Sequence, residues 1–379
     1  EWIKVGGKGY ANPESLKAQR TTKRSGPGQR KKSRGPATES ADGAEDTYSD
    51  GRRAAEGARQ IASLSKAGKP FFLAVGFTKP HLPFNAPTKF WDLYQRESFS
   101  LPKNLGVPPG YPDFARNRMA GELRAYSDIP ARESPAKFPD ALNKRLLHGY
   151  YACVSYMDRN VGLLLAALEE SGAADDTIVV FWADHGWKLG DHSSWCKHTN
   201  FECDTRVPLI VRVPKGVPGL PVGTQPAICT RPVSLLSLAP TLLQLSGLPP
   251  HKNHHGPSFV PLLKNPKAPQ LVWPYTAVTH LDQPGSFALS GERFRYIHYA
   301  GGGEELYDIK NDPYEWRNLA GDKEHLATLK RLRALAPTIF AKAVPPSISS
   351  WPALKWHPLA ANAKTPDRKS TRLNSSHAL

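Results

Sequence analysis

The run FFLAVGF (71–77) is apolar at nearly every position, whereas the stretch before it, DGRRAAEGARQIASLSKAGKP, is apolar only at intervals. Intervals of three and four place Ala54, Ala58, Ile61 and Leu64 on one face and predict a helix stopped by Gly68 and Pro70. The continuous run predicts a short strand covered on both faces, as in a parallel sheet. A long Pro-rich excursion, 84–140, has no clear period. HGYYACVSYMDRNVGLLLAALEESG then predicts a second helix, with Tyr151, Val154, Asp158, Val161, Leu165 and Leu168 recurring as a stripe at spacings of three and four and Gly172 as its stop. IVVFW (178–182) and PLIVRV (208–213) read as further strands, and PVSLLSLAPTLLQLSGLPP as a helix that Pro240 kinks or restarts.

Strand, crossover, helix and strand in alternation predict an α/β fold with a doubly wound, mostly parallel sheet. From about residue 270 the pattern changes. YTAVTH, SFALS and RFRYIHY are short alternating runs separated by DQPG and AGGG, which predicts a smaller antiparallel subdomain over 266–345. In RFRYIHY, Phe294, Tyr296 and His298 alternate with Arg295 and Ile297, and HLATLKRLRAL supplies one packing helix. The larger α/β part is expected over 36–265, a basic loop-like segment over 1–35, and a disordered or foreign tail over 346–379.

Charge adds one feature. The net charge is +16, and KAQRTTKRSGPGQRKKSR (17–34) carries much of the excess almost without apolar residues. It reads as a solvated loop or as a collar for a polyanion. No aromatic residue interleaves with these bases, so nucleic acid is not the expected partner. No run approaches the ~20 apolar residues of a membrane helix. Four cysteines in a chain of 379 residues read as separate buried thiols rather than a disulfide framework.

The chemistry gathers at two strand ends. TKPH follows the first strand, with Lys79 and His81 flanking Pro80. WADHGWKLGDHSSWCKHTN (182–200) follows the second and holds Asp184, His185, His192, Trp195 and Lys197. Ligands of doubly wound sheets collect at such ends. Two lysines, two histidines and an aspartate there suit a tetrahedral oxyanion beside a metal. The residues alone leave the metal open. Asp184 suits calcium, while His185, His192, Cys196 and His198 admit zinc without a standard spacing.

GKPFFLAVGFTKPHLPF, the block IVVFWADHGWKLGDHSSWCKHTNFECDTRVPLIV and ELYDIKNDPYEWRNLAG resemble type I sulfatases, nearest the iduronate-2-sulfatase-like branch, from about residue 36 to 340. The resemblance implies an alkaline-phosphatase-like fold and hydrolysis of a sulfate ester on a sugar or polysaccharide. It makes Asp184 and His185 ligands of one calcium ion. Lys79, His81 and Lys197 become catalytic and sulfate-binding groups, with Trp195 and His192 on the substrate side. It also implies a formylglycine nucleophile made from the first residue of Cys/Ser-x-Pro/Ala-Ser/Ala-Arg. None of the four cysteines begins that motif, and Cys229 is followed by Thr-Arg-Pro. The expectation is therefore an N-terminally truncated sulfatase that is inactive alone. Its nucleophile, paired metal-binding aspartates and signal peptide would be encoded upstream, and its location would be secreted, periplasmic or lysosome-like. A phosphodiesterase or phosphonate hydrolase of the same superfamily and a non-catalytic polyanion-binding relative are the alternatives.

Overall fold

A computed structural model describes residues 3–6, 9–20, 23–24, 30–31, 34–112, 121–130, 138–269, 276–281 and 284–340. Half of the basic run 17–34 and the whole 346–379 tail lie outside these. Residues Glu1–Ile339 form one compact unit.

The first half is built around two helices. Helix α1 (Pro13–Arg20) precedes strand β1 (Thr38–Ala41), and α2 (Ser49–Lys66) is the helix expected from the spacing of Ala54 and Ile61. Its buried face is Asp50, Gly51, Ala54, Gly57 and Ile61. Strand β2 (Phe84–Pro87) pairs in parallel with β1, Thr38 opposite Phe84. The 31-residue α3 (Asp140–Glu170) then packs against both α2 and β2.

The face that α3 buries differs from the expected stripe. Tyr151, Val154, Asp158 and Leu165 are exposed, and of that stripe only Leu168 is buried. The packed face is Leu146, Gly149, Ala152, Tyr156 and Asn160. Small residues decide this, because a Cβ on Gly149 would lie 2.9 Å from Phe84 Cβ and 2.9 Å from the Trp91 ring. Close approach of β2 to the helix outweighs the larger apolar side chains on the other side.

The run 71–77 is the second correction. It joins no ladder among the described residues; Phe71, Leu73 and Val75 are half-buried, while Phe72 is 79% exposed. Leu73 packs with Ile61, Leu168 and Val179. One face of the run therefore rests on α2 and α3, and the other faces outward. A continuous apolar run cannot report on how many of its faces are covered.

Strand β3 (Val179–Trp182) lies where expected, but it too is only half-buried. After the short β4 (Lys188–Leu189) and β5 (Trp195–Cys196), it pairs antiparallel with β6 (Leu209–Arg212). Outside the C-terminal sheet the described residues show the parallel pair β1–β2 and three antiparallel pairs, β3–β6, β4–β5 and Lys23–Arg24 with Arg30–Lys31, in place of a doubly wound parallel sheet. Helix α4 (Leu238–Leu245) starts two residues before Pro240, which sits in the first turn where its missing N–H is harmless.

The C-terminal antiparallel sheet is present as expected. Strands β7 (Ala277–His280), β8 (Phe287–Ser290), β9 (Phe294–His298) and β10 (Glu304–Asp308) follow in order and pair with their sequence neighbours. Helix α5 (Leu326–Arg333) buries Leu329 and Leu332. In β9, Arg295 is buried rather than facing water. Its guanidinium donates to Asn200 O at 2.7 Å, Glu202 Oε2 at 2.9 Å and Thr205 Oγ1 at 2.7 Å. That arginine ties the small sheet to the end of the 182–200 loop.

The thiols are free, Cys153 and Cys196 buried as expected, Cys203 partly so and Cys229 exposed. No described helix is long and apolar enough to cross a membrane.

Candidate functional site

The TKPH turn is fixed from below by Asp50, a fully buried carboxylate of α2. Asp50 Oδ2 accepts from the backbone N–H groups of Thr78 (2.8 Å) and Lys79 (2.7 Å), and Oδ1 from Arg53 Nη1 at 2.8 Å. The peptide bonds before Pro80 and Pro83 are both cis. Lys79 lies under this turn. Its ammonium donates to Pro83 O at 2.6 Å, and burial lowers its pKa. The structure therefore gives Lys79 to the turn's own carbonyls, not to the cluster above.

His81 faces that cluster. Its Nδ1 is 2.9 Å from Leu82 O, an acceptor only, so Nδ1 carries the proton and Nε2 presents a lone pair. Lys197 Nζ donates to this Nε2 at 2.6 Å. Burial pushes the His81 pKa down to about 4, with the positive charge of Lys197 adding to the effect. The imidazole is thus neutral at physiological pH, and Lys197 is the cation of the pair.

Lys197 owes its position to an unusual backbone. Cys196 and His198 on either side have φ of 73° and 79°, and His192 and Ser193 lie at 51° and 54°. Left-handed non-glycine residues cost about 1–3 kcal/mol each and persist only where the surroundings enforce them. Here the surroundings are a buried ion pair. Lys188, buried in β4, meets Asp204 and Thr199, and Asp204 Oδ2 also accepts from Thr199 N at 2.7 Å. Gly186 N donates to Asp204 O at 2.7 Å, and a Cβ on Gly186 would lie 2.0 Å from Cys203 O. That contact explains the glycine of Asp-His-Gly as a close backbone approach.

An indole does line the cluster, but it is Trp187 rather than Trp195. The His81 and Trp187 rings meet edge-on at 4.9 Å, and Lys197 Nζ lies 5.1 Å from the Trp187 ring centre. Trp195 is 3% exposed and donates to Asn143 Oδ1 at 3.3 Å inside the core. His192 is also buried, its Nε2 2.8 Å from Tyr314 O and its ring 4.4 Å from Phe201. Both side chains build the loop's underside, and neither reaches the His81–Lys197 pair.

Glu122 completes the cluster and was not anticipated. Its carboxylate lies 3.3 Å from His81 Nε2, 3.5 Å from Lys197 Nζ and 3.7 Å from Arg34 Nη1. Burial works to raise its pKa, but His81, Lys197 and Arg34 together bring it below the usual carboxylate value. It sits in the aperiodic 84–140 excursion, where no spacing or motif marks it.

His185 stands near the group, its ring 6.3 Å from that of His81, with Nδ1 2.9 Å from Gly186 O. Asp184, 81% exposed at its side chain, lies 3.5 Å from His185 Nε2. These two groups do not fit calcium by themselves. Calcium takes six to eight oxygens, and only Asp184 offers a carboxylate. Among the described residues the one set of three His, Cys, Asp or Glu side chains within ligand reach of one another is the surface group Asp322, Glu324 and His325. The zinc combination of His185, His192, Cys196 and His198 is likewise not assembled there.

Solved proteins share this architecture. A phosphonate monoester hydrolase from Silicibacter pomeroyi superimposes with a TM-score of 0.66 at 24% identity, over 86% of this chain and 65% of that one. A structure described in complex with its substrate D-glucosamine-2-N,6-O-disulfate superimposes at 0.58 and 22% identity, over 75% of this chain and 68% of that one. These likenesses define the class as an α/β chain of the fold used by sulfatases and phosphonate hydrolases. The sulfatase family model matches residues 8–248, and the chain belongs to the sulfatase family. A model described as N-sulphoglucosamine sulphohydrolase, C-terminal, matches residues 190–338. A sulfatase of Formosa agariphila is 35% identical over 71% of this chain and 50% of its own length. Iduronate 2-sulfatase of Mus musculus is 35% identical over 58% of this chain and 43% of its own. The chain thus spans about half the length of the curated relatives it matches.

Proposed function

We propose that the Lys197–His81 pair, walled by Trp187, is the anion-binding part of a sulfuric ester hydrolase site that removes sulfate from a sulfated carbohydrate. The observation that carries this is the 2.6 Å contact between Lys197 Nζ and His81 Nε2. Family membership supports the sulfate. Names such as N-acetylglucosamine-6-O-sulfatase, a Bacteroides thetaiotaomicron relative 31% identical over 51% of this chain, support the sugar.

Cleavage of a sulfate ester leaves an alkoxide that needs charge stabilisation and a proton. A semi-buried ammonium supplies the first, because its field is little screened there. It also holds a proton within reach of a leaving oxygen. His81, neutral and oriented by Leu82 O, accepts Lys197's hydrogen bond and keeps the ammonium aimed outward. Lys79 acts beneath them by holding the turn in shape. Trp187 offers an aromatic face beside the cation, a surface suited to the apolar side of a sugar ring. The family typically employs a formylglycine nucleophile and a metal ion, and in this reading Asp184 and His185 would contribute to the metal's ligands without completing the set. With that substrate class goes a secreted, periplasmic or lysosome-like location.

Titration calorimetry of the chain with a sulfated disaccharide, its desulfated form and phenylphosphonate tests the reading. The sulfated sugar is expected to bind at least roughly tenfold better than the desulfated one, a difference of about 1.4 kcal/mol. Lys197→Ala should remove that preference without lowering the melting temperature. Equal binding of the desulfated sugar sinks the proposal, and preference for the phosphonate moves the site to phosphonate ester hydrolysis.

A further inference from the structure

The segment carrying Glu122 is built into the fold. Ser127 N donates to Gly35 O at 3.1 Å, Asp128 Oδ1 accepts from Ala37 N at 2.7 Å, and Asp128 Oδ2 pairs with Arg145 at 2.9 Å. Leu123 and Tyr126 are buried in the same core as Phe84 and Leu146. Glu122 is therefore held at the cluster by its surroundings, with a side chain 20% exposed. Its two oxygens divide among these groups, Oε1 toward the Arg34 guanidinium and the His81 ring, Oε2 toward the Lys197 ammonium. Lys197 and Arg34 are the cations that would grip an oxyanion here, and a carboxylate 3.5 Å and 3.7 Å from them repels a second anion at that place.

We propose that Glu122 is a specificity-determining residue of the anion site, an internal carboxylate that competes with the sulfate group for Lys197. The competition sets a threshold. A small free anion gains only the contacts Glu122 already makes, whereas a sulfate ester brings additional binding from its sugar to displace or outweigh the carboxylate. Inorganic sulfate, the product of hydrolysis, is then released rather than retained. Glu122 rests on the proposed anion site but makes a separate claim about it, namely the sign of its effect.

Inorganic sulfate is the probe, titrated calorimetrically into the whole chain at constant ionic strength with chloride as the balancing anion. Glu122→Gln keeps the shape and removes the charge, and is expected to bind sulfate at least tenfold more tightly than the unaltered chain. Glu122→Asp keeps the charge and is expected to show no such gain. The gain should vanish when Lys197→Ala is added to Glu122→Gln. Sulfate binding that is unchanged or weaker in Glu122→Gln, with the Lys197 dependence intact, overturns the competition while leaving the anion site standing. Sulfate binding in Glu122→Gln that ignores Lys197→Ala, or is absent from every variant, overturns both. Circular dichroism melting of each variant reports whether the fold is retained, and Glu122→Ala serves as the charge-removing variant if Glu122→Gln does not fold.

Discussion

Lys197 and His81, 116 positions apart, meet at 2.6 Å through Nζ and Nε2, so the turn after the 71–77 run and the loop after β3 share one hydrogen bond. An ammonium can make that bond only to an imidazole whose Nε2 is unprotonated. His81 should therefore remain neutral down to about pH 4, whereas an ordinary histidine is half-charged near 6.5. Nitrogen-detected NMR is expected to show the Nδ1–H tautomer throughout pH 5–8. Lys197→Ala removes a positive neighbour and should move the His81 titration upward. A His81 midpoint near 6.5 in the unaltered chain would show that the pair is not formed. The same shift makes stability depend on pH with a definite sign. Since the folded His81 pKa is depressed, this contribution is complete above 6.5 and is lost as pH falls toward 4.

Asp50 governs the other half of the pair from beneath. It is fully buried and serves two backbone N–H groups and one guanidinium. Asp50→Ala orphans the two backbone donors, while Arg53 Nη1 keeps its 2.7 Å bond to Thr78 Oγ1, so a loss of about 2–4 kcal/mol in urea unfolding is expected. Asp50→Asn retains an acceptor oxygen without the charge and should fall between. Unfolding of Asp50→Ala at the same urea midpoint as the unaltered chain would mean that the turn is held by its prolines alone.

How much of this was legible depends on the kind of signal each residue leaves. The helices around Ala54 and Tyr156 and three of the four C-terminal strands carry periodic patterns, the strand at Val179 a continuous apolar run, and they are present. The packed face of α3 was misread because Gly149 and Ala152 weigh little on any apolar scale, although their smallness admits Phe84 and Trp91. His81 and Lys197 stood out because charged groups at strand ends have few structural uses. Trp187 was passed over for Trp195 because which indole faces outward depends on the two-residue ladder between β4 and β5, with Leu189 opposite Trp195. Glu122 had no local signal at all. Its meaning comes from three neighbours far from it in sequence, the cations Arg34 and Lys197 and the neutral His81.

Calcium offers a third test. Asp184 contributes a single exposed carboxylate, and no described third ligand group converges on it with His185. Titration of the chain with calcium is expected to give an affinity of roughly millimolar strength, in the range of sparsely liganded sites. Asp184→Asn should abolish what binding there is. Submicromolar binding would reveal ligands that these residues do not supply.

The last expectation concerns the small sheet rather than the cluster. Glu305 is fully buried on β10, where it accepts from Tyr299 Oη at 3.2 Å and Tyr307 Oη at 3.0 Å. Burial raises its pKa from 4.5 to about 7, because two hydroxyl donors only partly replace the hydration that a carboxylate loses. The sign follows from linkage. With the folded pKa above the unfolded one, the folded state holds an extra proton between the two values. The contribution is therefore fully present below about 4.5 and is lost as pH rises through 7. At about 1.4 kcal/mol per pH unit, the loss over the interval is on the order of 3–4 kcal/mol. His81 works in the opposite direction over part of that range, so the two should be separated by mutation. Glu305→Gln removes the titrating group but keeps an oxygen for one tyrosine. It is expected to flatten the decline in melting temperature between pH 5 and 8 and to melt higher than the unaltered chain at pH 8. A decline that persists unchanged in Glu305→Gln would show that Glu305 is ionised in the folded sheet at both pH values.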